Sequence, residues 1–596
     1  MNNGSRSFWE TYSRRGVSRR RFVSGVMAGA GAAALLACSG GKDDTQVLAI
    51  DPNSVRTPGA VIYERDNWKW ADETSQAVPG GVLVSRVDRD LTSSLDPYLS
   101  NTSTVEDFND ETYEYLVEPN RGPGIEPGSA EYAKINGRLA QSWEAGGDSL
   151  TYTFKLRPGV KFQPTAPVDG REMNIDDWKT SIEKFLAIST NRDGLVEVLD
   201  KIEYPDSLTM VMKMKEPYAP LMIRMSEKDF AFKIVPKELN DRPDLMATTQ
   251  IGTNAKIVDK IEPSVSRSFT RFDGYWRGKP FIERWVHPII PELSNHYSQF
   301  LTQNVISYEP NARDALTARK DAPQAIMIHG ADNPLATPYI VIGKVDLATS
   351  PWRDARVRVA LRRAIDFDAI WEFQSNQQNF AAAGIEIDKF FNTNAPRDPS
   401  FWLDPRKGEL GEGSKNYFYD VAEAKKMVAA AGYPSGFDMD IWTNIGNNEE
   451  TNTFMIDYWD KSGFVRPNNL PKQRQEYFDN VTYSATFKGI SGTSSGAGGA
   501  TDVDYILFRN FYSKGPVSAV VDPKTDEFII RQRRELDPQK RAAILKEWQL
   551  YCANVMNCIP TRHLSATWTF EWPWLHNSNL PAHLQWLDPN MPRRNG

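Results

Sequence analysis

The chain has 596 residues, 70 of them lysine or arginine and 77 aspartate or glutamate, with a formal net charge of −7. This length is too great for one small core and predicts two or three lobes. The acidic balance argues against a nucleic-acid-binding surface, which requires clustered positive charge.

The first distinctive segment, residues 18–39, combines two export signals in the sequence SRRRFVSGVMAGAGAAALLACS. SRRRFV is typical of a twin-arginine motif. The apolar run that follows has the length of a signal-peptide core and is shorter than the roughly 20 residues of a membrane-spanning helix. It ends in LLACS, which resembles a bacterial lipobox with Cys38 as the lipid acceptor. The alternatives are an ordinary signal peptide with an incidental Cys38, or a single membrane anchor.

We therefore predict a signal peptide over residues 1–37 and a protein held by the lipid on Cys38 at the outer side of the cytoplasmic membrane, in the periplasm or on the cell surface. Removal of the signal peptide takes away six basic residues and one acid, which leaves a net charge of −12. No later stretch approaches membrane-spanning length, so the remainder is predicted to be soluble. Twin-arginine export would also mean that the lobes fold before they cross the membrane.

The two remaining cysteines, Cys552 and Cys558, are six positions apart. In an oxidising compartment they could close a short disulfide loop. The alternative is a pair of small buried thiols.

In chain order, residues 38–79 have little periodicity and are predicted to form a tether, although the aromatic piece 61–70 could dock on the body. Residues 82–87 indicate the first core strand. Residues 151–156 alternate, with the aromatic and leucine side chains of Tyr152, Phe154 and Leu156 on one face. Asn174 and Asp177 predict a capped helix that buries Trp178.

Three further helices are predicted from their first residues. Asp354 caps an apolar stripe, Asp420 caps a helix that stops near Gly432, and Asp537 precedes a helix that starts at Pro538. Strand-like segments between the helices lie at residues 268–272, 339–342, 439–442 and 559–561. The composite is an α/β protein without an internal repeat.

These segments carry a family resemblance. LAQSW at 139–143, YTFKLRPGVKF at 152–162 and the acidic helix start near Asp177 resemble the signature of the family 5 extracellular solute-binding proteins. WRDARVRVAL from Trp352 and YDVAEAKKMVAAAGYPSGF from Tyr419 resemble two later blocks of that family. The similarity extends from about residue 80 to the C-terminus in the family's order.

The resemblance implies the two-lobed, type II periplasmic-binding-protein fold with an additional domain inserted in lobe I. On this mapping, lobe I comprises residues 80–105, 200–343 and 558–596, the inserted domain comprises 106–199, and lobe II comprises 344–557. It also implies a monomer that captures a peptide or similar small solute and delivers it to an ABC permease with separate ATPase subunits.

The chain departs from the family pattern at two places in lobe I. GTNAK at 252–256 stands where the family has a Gly-x-Gly-Pro-aromatic turn, and QNVIS at 303–307 stands where it has a Gly-acid-hydrophobic-Asp segment. These departures leave the ligand open: sugars or metal chelates are alternatives to peptides.

The resemblance also suggests ligand-binding residues. In peptide-binding members, an aspartate in the region that follows the Gly/Ser-rich run at 491–501 pairs with the ligand's α-amino group. Asp502 and Asp504 are the corresponding candidates. Aromatic side chains could line the pocket, and the candidates are Tyr98, Trp442, Tyr477 and Tyr505. For all six residues the alternative is a structural role.

A search for catalytic chemistry finds one weak match. The sequence GTSSG at 492–496 fits a nucleophile elbow with Ser494 as nucleophile, but the Gly/Ser-rich residues after it do not favour the helix that an elbow needs. The six histidines show no zinc-ligand spacing, and there is no phosphate-binding loop. We therefore predict a protein that is not an enzyme and uses no metal or cofactor. A secreted serine hydrolase and a non-transport receptor on the same fold are the alternatives.

Overall fold

The computed structural model describes residues 56–590 except 92–93, 100–102, 128, 190, 227–231, 331–335, 394, 447, 495–501 and 566. The export signals and Cys38 lie outside the described residues. Within this part of the chain, no helix is both long and apolar enough to cross a membrane.

Lobe I is built around two four-stranded sheets. The strands of the first sheet, in spatial order, are β1 (Val61–Tyr63), β13 (Ile326–His329), β19 (Trp568–Glu571) and β12 (Ser307–Tyr308). Those of the second are β2 (Val82–Val84), β11 (Arg284–Pro288), β10 (Ser266–Arg271) and β9 (Lys256–Glu262). Helices α6 (Leu293–Leu301) and α7 (Ala315–Asp321) flank them, and the strands β20 (Leu575–His576) and β21 (Trp586–Leu587) form a separate pair. Trp285, Phe300 and Phe570 are fully buried in the core of this lobe.

The segment before residue 80 is part of lobe I rather than a free tether. Strand β1 pairs in parallel with β13, with Val61 opposite Met327. Trp70 is buried in a small apolar cluster with Ile62 and Ile328. The tether expected over residues 38–79 therefore ends before residue 61, because the aromatic segment 61–70 packs on the lobe I sheet.

The inserted domain is a four-stranded antiparallel sheet covered by a helix. Its strands, in spatial order, are β5 (Ala140–Ala145), β6 (Thr151–Leu156), β8 (Thr209–Met214) and β7 (Leu199–Asp206). Phe154 and Leu156 alternate inward as predicted, and helix α2 (Ile175–Ile188) begins with the predicted capping box of Asn174 and Asp177. The expected boundary after residue 199 falls inside this sheet, whose core continues to Ile251.

Smaller elements complete this domain. They are helices α3 (Leu221–Met225), α4 (Lys237–Asn240) and α5 (Pro243–Met246), and the paired strands β3 (Val117–Pro119) and β4 (Ile135–Gly137). Helix α1 (Ser103–Thr112) packs instead on lobe I, where Phe108 contacts Phe269 of β10 and Glu111 pairs with Lys256 of β9.

Lobe II is organised by one five-stranded sheet with helices on its faces. Its strands, in spatial order, are β16 (Val465–Lys472), β15 (Phe437–Asn444), β17 (Ile490–Ser494), β14 (Tyr339–Ile342) and β18 (Ile559–Pro560). Its helices are α8 (Ala355–Arg363), α9 (Phe367–Ser375), α10 (Gln377–Ala382), α11 (Val421–Ala430), α12 (Glu449–Ser462), α13 (Arg474–Tyr477), α14 (Val503–Ile506), α15 (Pro523–Arg534) and α16 (Pro538–Val555). The predicted caps Asp354, Asp420 and Asp537 are confirmed, since each carboxylate accepts a backbone N–H of the first turn.

Two chain connections join the lobes, one between β13 and β14 and one between β18 and β19. Strands β13 and β19 pair in lobe I, whereas β14 and β18 pair in lobe II. Because β14 and β18 both belong to the lobe II sheet, the boundary expected after residue 343 lies before β14, and the boundary expected after residue 557 lies after β18. Near this hinge, Phe380 of α10 reaches into the lobe I core and stacks on Trp568, with ring centroids 5.2 Å apart.

Candidate functional site

A crevice separates the inserted domain from lobe II. Asn191, Asp193 and Arg224 line one wall, and Tyr505, Phe508, Arg509 and Pro516 line the other. The two walls approach closely, and the free volume between them is about 20 Å³, roughly the space of one water molecule. An adjoining apolar hollow beneath Arg224 is lined by Phe185, Leu195, Tyr218, Leu221 and Met225.

Asp504, on helix α14 of lobe II, precedes Tyr505 of the crevice lining and is itself buried. Its carboxylate is fully buried, accepting hydrogen bonds from Tyr218 Oη at 2.8 Å and from Gln532 Nε2 at 2.7 Å. Two guanidinium groups flank it: Arg533 Nε lies 3.2 Å from Oδ1, and Arg224 Nη1 lies 3.8 Å from Oδ2. Tyr218 and Arg224 belong to the inserted domain, so this carboxylate joins the two walls.

Asp502 is the N-cap of the same helix and accepts the backbone N–H of Asp504. Both of its carboxylate oxygens are also bound by Arg541, at 2.6 and 2.8 Å. Burial would raise the pKa of Asp502, but the charge and hydrogen bonds of Arg541 hold the pKa below its ordinary value. Arg541 in turn donates to Gln532 Oε1, at 2.7 and 3.0 Å, which connects the two aspartates through one polar network.

The arginines of this network are stabilised as cations. Burial would lower the pKa values of Arg533 and Arg541, but the neighbouring carboxylates raise them above the ordinary value. Arg533 also donates to the carbonyl of Gly194 at 2.7 Å, and its Nη1 lies 3.3 Å from a Glu197 oxygen. Residues 194–197 belong to the inserted domain, so Arg533 adds a second contact between the walls.

The four predicted aromatic residues occupy different environments. Tyr505 is half-buried and lines the crevice. Trp442 is half-buried under the ammonium of Lys472, 4.2 Å from the ring centroid. Tyr477 is buried within lobe II, and burial raises its pKa to about 12. Tyr98 is buried in the inserted domain, where its hydroxyl donates to the carbonyl of Lys233.

The sequence reasoning therefore brought one of its six ligand candidates, Tyr505, to the crevice lining, and a second, Asp504, to the buried network that joins the two walls. It missed Tyr218, Arg224, Arg509 and Arg533. The sequence RQRR at 531–534, at the end of a helix beside the two aspartates in space, is the one local signal that could have drawn attention to these cations. Tyr218 and Arg224 carry no comparable signal.

Ser494 is a strand residue, and the residues that would form the turn and helix of a nucleophile elbow, 495–501, lie outside the described residues. Its backbone is the last position of β17, where it pairs in register with Tyr339 of β14, and its side chain is buried. A nucleophile elbow instead places the serine on a sharp turn after the strand. In this structure Ser494 is a residue of the lobe II sheet.

The cysteines and histidines have structural surroundings. Cys552 and Cys558 are both buried and are not joined by a disulfide, which corresponds to the second of the two sequence-based alternatives. Four histidines form hydrogen bonds within the chain: His287, His296, His563 and His576. His329 and His583 contact aromatic rings. Among the described residues, no group of three histidine, cysteine or acidic side chains could hold a metal ion.

Two α/β lobes joined by two connections, with a domain inserted in lobe I that faces lobe II across a crevice, define the class of type II periplasmic binding proteins. The profile of the bacterial extracellular solute-binding proteins, family 5, matches residues 134–495, which is more than half of the chain. The chain therefore belongs to this family, whose members bind solutes rather than catalyse reactions.

Similar proteins agree with this assignment. Heme-binding protein A of Haemophilus influenzae is 24% identical over 482 residues, covering 76% of this chain and 82% of that protein. The dipeptide-binding protein of Escherichia coli is 28% identical over 331 residues, covering 51% and 56%. The solved structure of the Helicobacter pylori periplasmic binding protein DppA with the peptide STSA superposes with a TM-score of 0.70 at 20% identity. It covers 86% of this chain and 99% of that one. At that identity the structural likeness shows the fold alone.

Proposed function

We propose that this protein is the lipid-anchored substrate-binding subunit of an ABC importer. It captures a peptide or a similar small solute in the crevice between its lobes and delivers it to the permease. The observation that carries the proposal is the crevice itself, formed by side chains of two bodies that a hinge connects. Hinge closure around a ligand changes the surface that a permease can contact, provided that the ligand binds the closed form more tightly.

Peptides are the leading ligand class because several similar proteins are named for peptides or were solved with a bound peptide. The Escherichia coli relative is named for dipeptides, and the Helicobacter pylori structure contains a four-residue peptide. The relative named for heme shows that a similar chain can be assigned a different ligand. The crevice wall offers both an exposed acid, Asp193, and a half-buried cation, Arg509, to a zwitterionic solute.

A thermal-shift experiment tests the ligand class. The purified protein is heated with di-, tri- and tetrapeptides, with free amino acids as size controls and with heme as a competing class. A ligand at 100 times its Kd stabilises the folded state by about 2.7 kcal/mol and raises Tm accordingly. If heme raises Tm and no peptide does, the peptide assignment fails while the binding function stands. If neither peptides nor heme raise Tm, sugars and metal chelates are tested in the same way, and the binding function itself fails if none of these classes raises Tm.

Lipid anchoring is tested separately in the native host. We expect the wild-type chain to fractionate with membranes and to carry a lipid on Cys38, and Cys38→Ser to be released in soluble form. Cys558→Ser is the matched control, since its buried thiol lies in the folded body. A Cys38→Ser protein that stays in the membrane fraction would contradict the lipid anchor.

A further inference from the structure

The two walls of the crevice are held together by a network of the chain's own side chains and backbone. We call it the interlobe bridge and define it by Asp504 and Arg533 of lobe II and Tyr218, Arg224 and Gly194 of the inserted domain. Asp504 accepts a hydrogen bond from Tyr218, and Tyr218 Oη accepts one from Arg224 Nη1 at 2.6 Å. On the other side, Arg533 donates to the Gly194 carbonyl.

The bridge is packed as a protein interior. Asp504, Tyr218 and Arg533 are each at most 2% exposed. A buried carboxylate requires paired charge and hydrogen bonds, and Asp504 obtains both from side chains of this chain. Its Oδ1 faces Gln532 and Arg533, and its Oδ2 faces Tyr218 and Arg224.

Both oxygens of Asp504 are thus occupied by side chains of this chain, whereas a carboxylate that binds a ligand must have an oxygen available to it. An ammonium group approaching Asp504 would have to displace a tyrosine or glutamine donor and enter a site already flanked by two guanidinium groups. The repulsion between these cations and an incoming ammonium opposes that exchange. Asp502 is closed in the same way by Arg541.

A backbone contact and a surface ion pair extend the bridge. The N–H of Ala219 donates to the carbonyl of Arg533 at 2.8 Å, and Arg534 pairs with Glu216 at the rim. The C-terminal turn of α15 is thus docked on residues 194–197 and 216–219 of the inserted domain.

We propose that Asp504 is a positioning residue that ties lobe II to the inserted domain in the absence of ligand, rather than an anchor for the ligand's amino group. The bridge holds this end of the crevice closed, and opening requires Asp504 to separate from Tyr218 and Arg224, and Arg533 to separate from the Gly194 carbonyl. The proposal concerns the unliganded chain and does not depend on which solute the protein binds.

Gly194 gives a precise way to disturb the bridge. A Cβ at this position would lie 3.0 Å from Arg533 Nη2 and 3.1 Å from Arg224 Nη1, and φ is +77°. Gly159, in the same domain, has φ of +76° and no atom within 4 Å of the corresponding Cβ. The Gly159→Ala variant therefore imposes the same backbone strain without touching the bridge.

The test is a spin-label distance measurement on the unliganded protein in a Cys38→Ser background. Labels at Lys179→Cys, on the inserted domain, and Lys546→Cys, on lobe II, report the separation of the two bodies. We expect one narrow short distance in the parent and in Gly159→Ala, and a longer, broader distribution in Gly194→Ala and Tyr218→Phe. Circular dichroism and Tm verify that each variant is folded, and Tyr218→Phe keeps the buried ring.

Two outcomes would overturn the proposal. One is an unchanged distance distribution in both Gly194→Ala and Tyr218→Phe. The other is a parent protein whose bodies are already far apart without ligand. A failure to bind peptides affects neither distance, so it would count against the proposed function and leave this inference standing.

Discussion

The lobes meet at a hinge and at the interlobe bridge, and the two contacts are chemically different. At the hinge, stacked rings such as Phe380 on Trp568 make the contact. At the bridge, the buried side chains of Asp504 and Arg533 make it, through Tyr218, Arg224 and the Gly194 carbonyl. Apolar packing is nearly non-directional, so a hinge of this kind can bend while it stays packed. Ion pairs with fixed hydrogen bonds have a defined geometry, so the bridge must either hold or separate.

The largest expected effect comes from breaking the hinge packing. Phe380 is fully buried, and its ring lies nearly parallel to that of Trp568, at 9°. Phe380→Ala removes this ring from the core and should lower the free energy of unfolding by about 4 kcal/mol. Chemical denaturation measures it, with Leu536→Ala, an exposed leucine, as the control. A loss below 1 kcal/mol would mean that the hinge is not packed as described.

The second effect tests the charges that support the bridge from within lobe II. Arg541→Gln leaves the buried carboxylate of Asp502 without its guanidinium partner and should cost about 3 kcal/mol of stability. Arg531→Gln is the matched control, because its ion pairs with Glu527 and Glu547 are on the surface. If both variants lose the same small amount, Asp502 is not held by Arg541 in solution.

The contrast between hinge and bridge also separates what the sequence could predict from what it could not. The helix starts at Asn174, Asp354, Asp420 and Asp537 follow from local rules, because a cap and its N–H partners are within three residues of each other. The apolar stripes behind them follow from helical periodicity for the same reason.

The bridge follows from no local rule. Tyr218 and Asp504 are 286 positions apart, and neither is distinctive in its own segment. Asp502 and Asp504 are candidate ligand carboxylates by sequence, since a sequence does not reveal which arginine will be brought beside them. The position at which the segment 61–70 docks is not predictable for a similar reason, because the three-residue strand β1 gains its identity from its partner β13.

A smaller effect is the pH dependence of the charge pair. The Arg541 contact keeps the pKa of Asp502 below its ordinary value, so this residue stabilises the folded state above the unfolded pKa of about 3.9. That stability is lost as the pH falls through the folded-state pKa. Asp502→Asn retains a capping side chain, and its stability should decline less steeply below about pH 4 than that of the parent. Parallel acid-unfolding curves for the two proteins would contradict this assignment.

The smallest effect is expected at the rim of the bridge. This prediction distinguishes the contribution of a surface ion pair from that of the buried charges. Arg534 and Glu216 form an ion pair whose side chains are 52% and 31% exposed. Because water and salt screen such a pair, Arg534→Ala should change the free energy of unfolding by less than about 1 kcal/mol, and the difference should vanish at high ionic strength. The same variant should leave the spin-label distance unchanged, since Asp504, Tyr218 and Arg533 remain in place. A longer spin-label distance in Arg534→Ala would mean that the surface ion pair, rather than the buried network, holds the crevice closed.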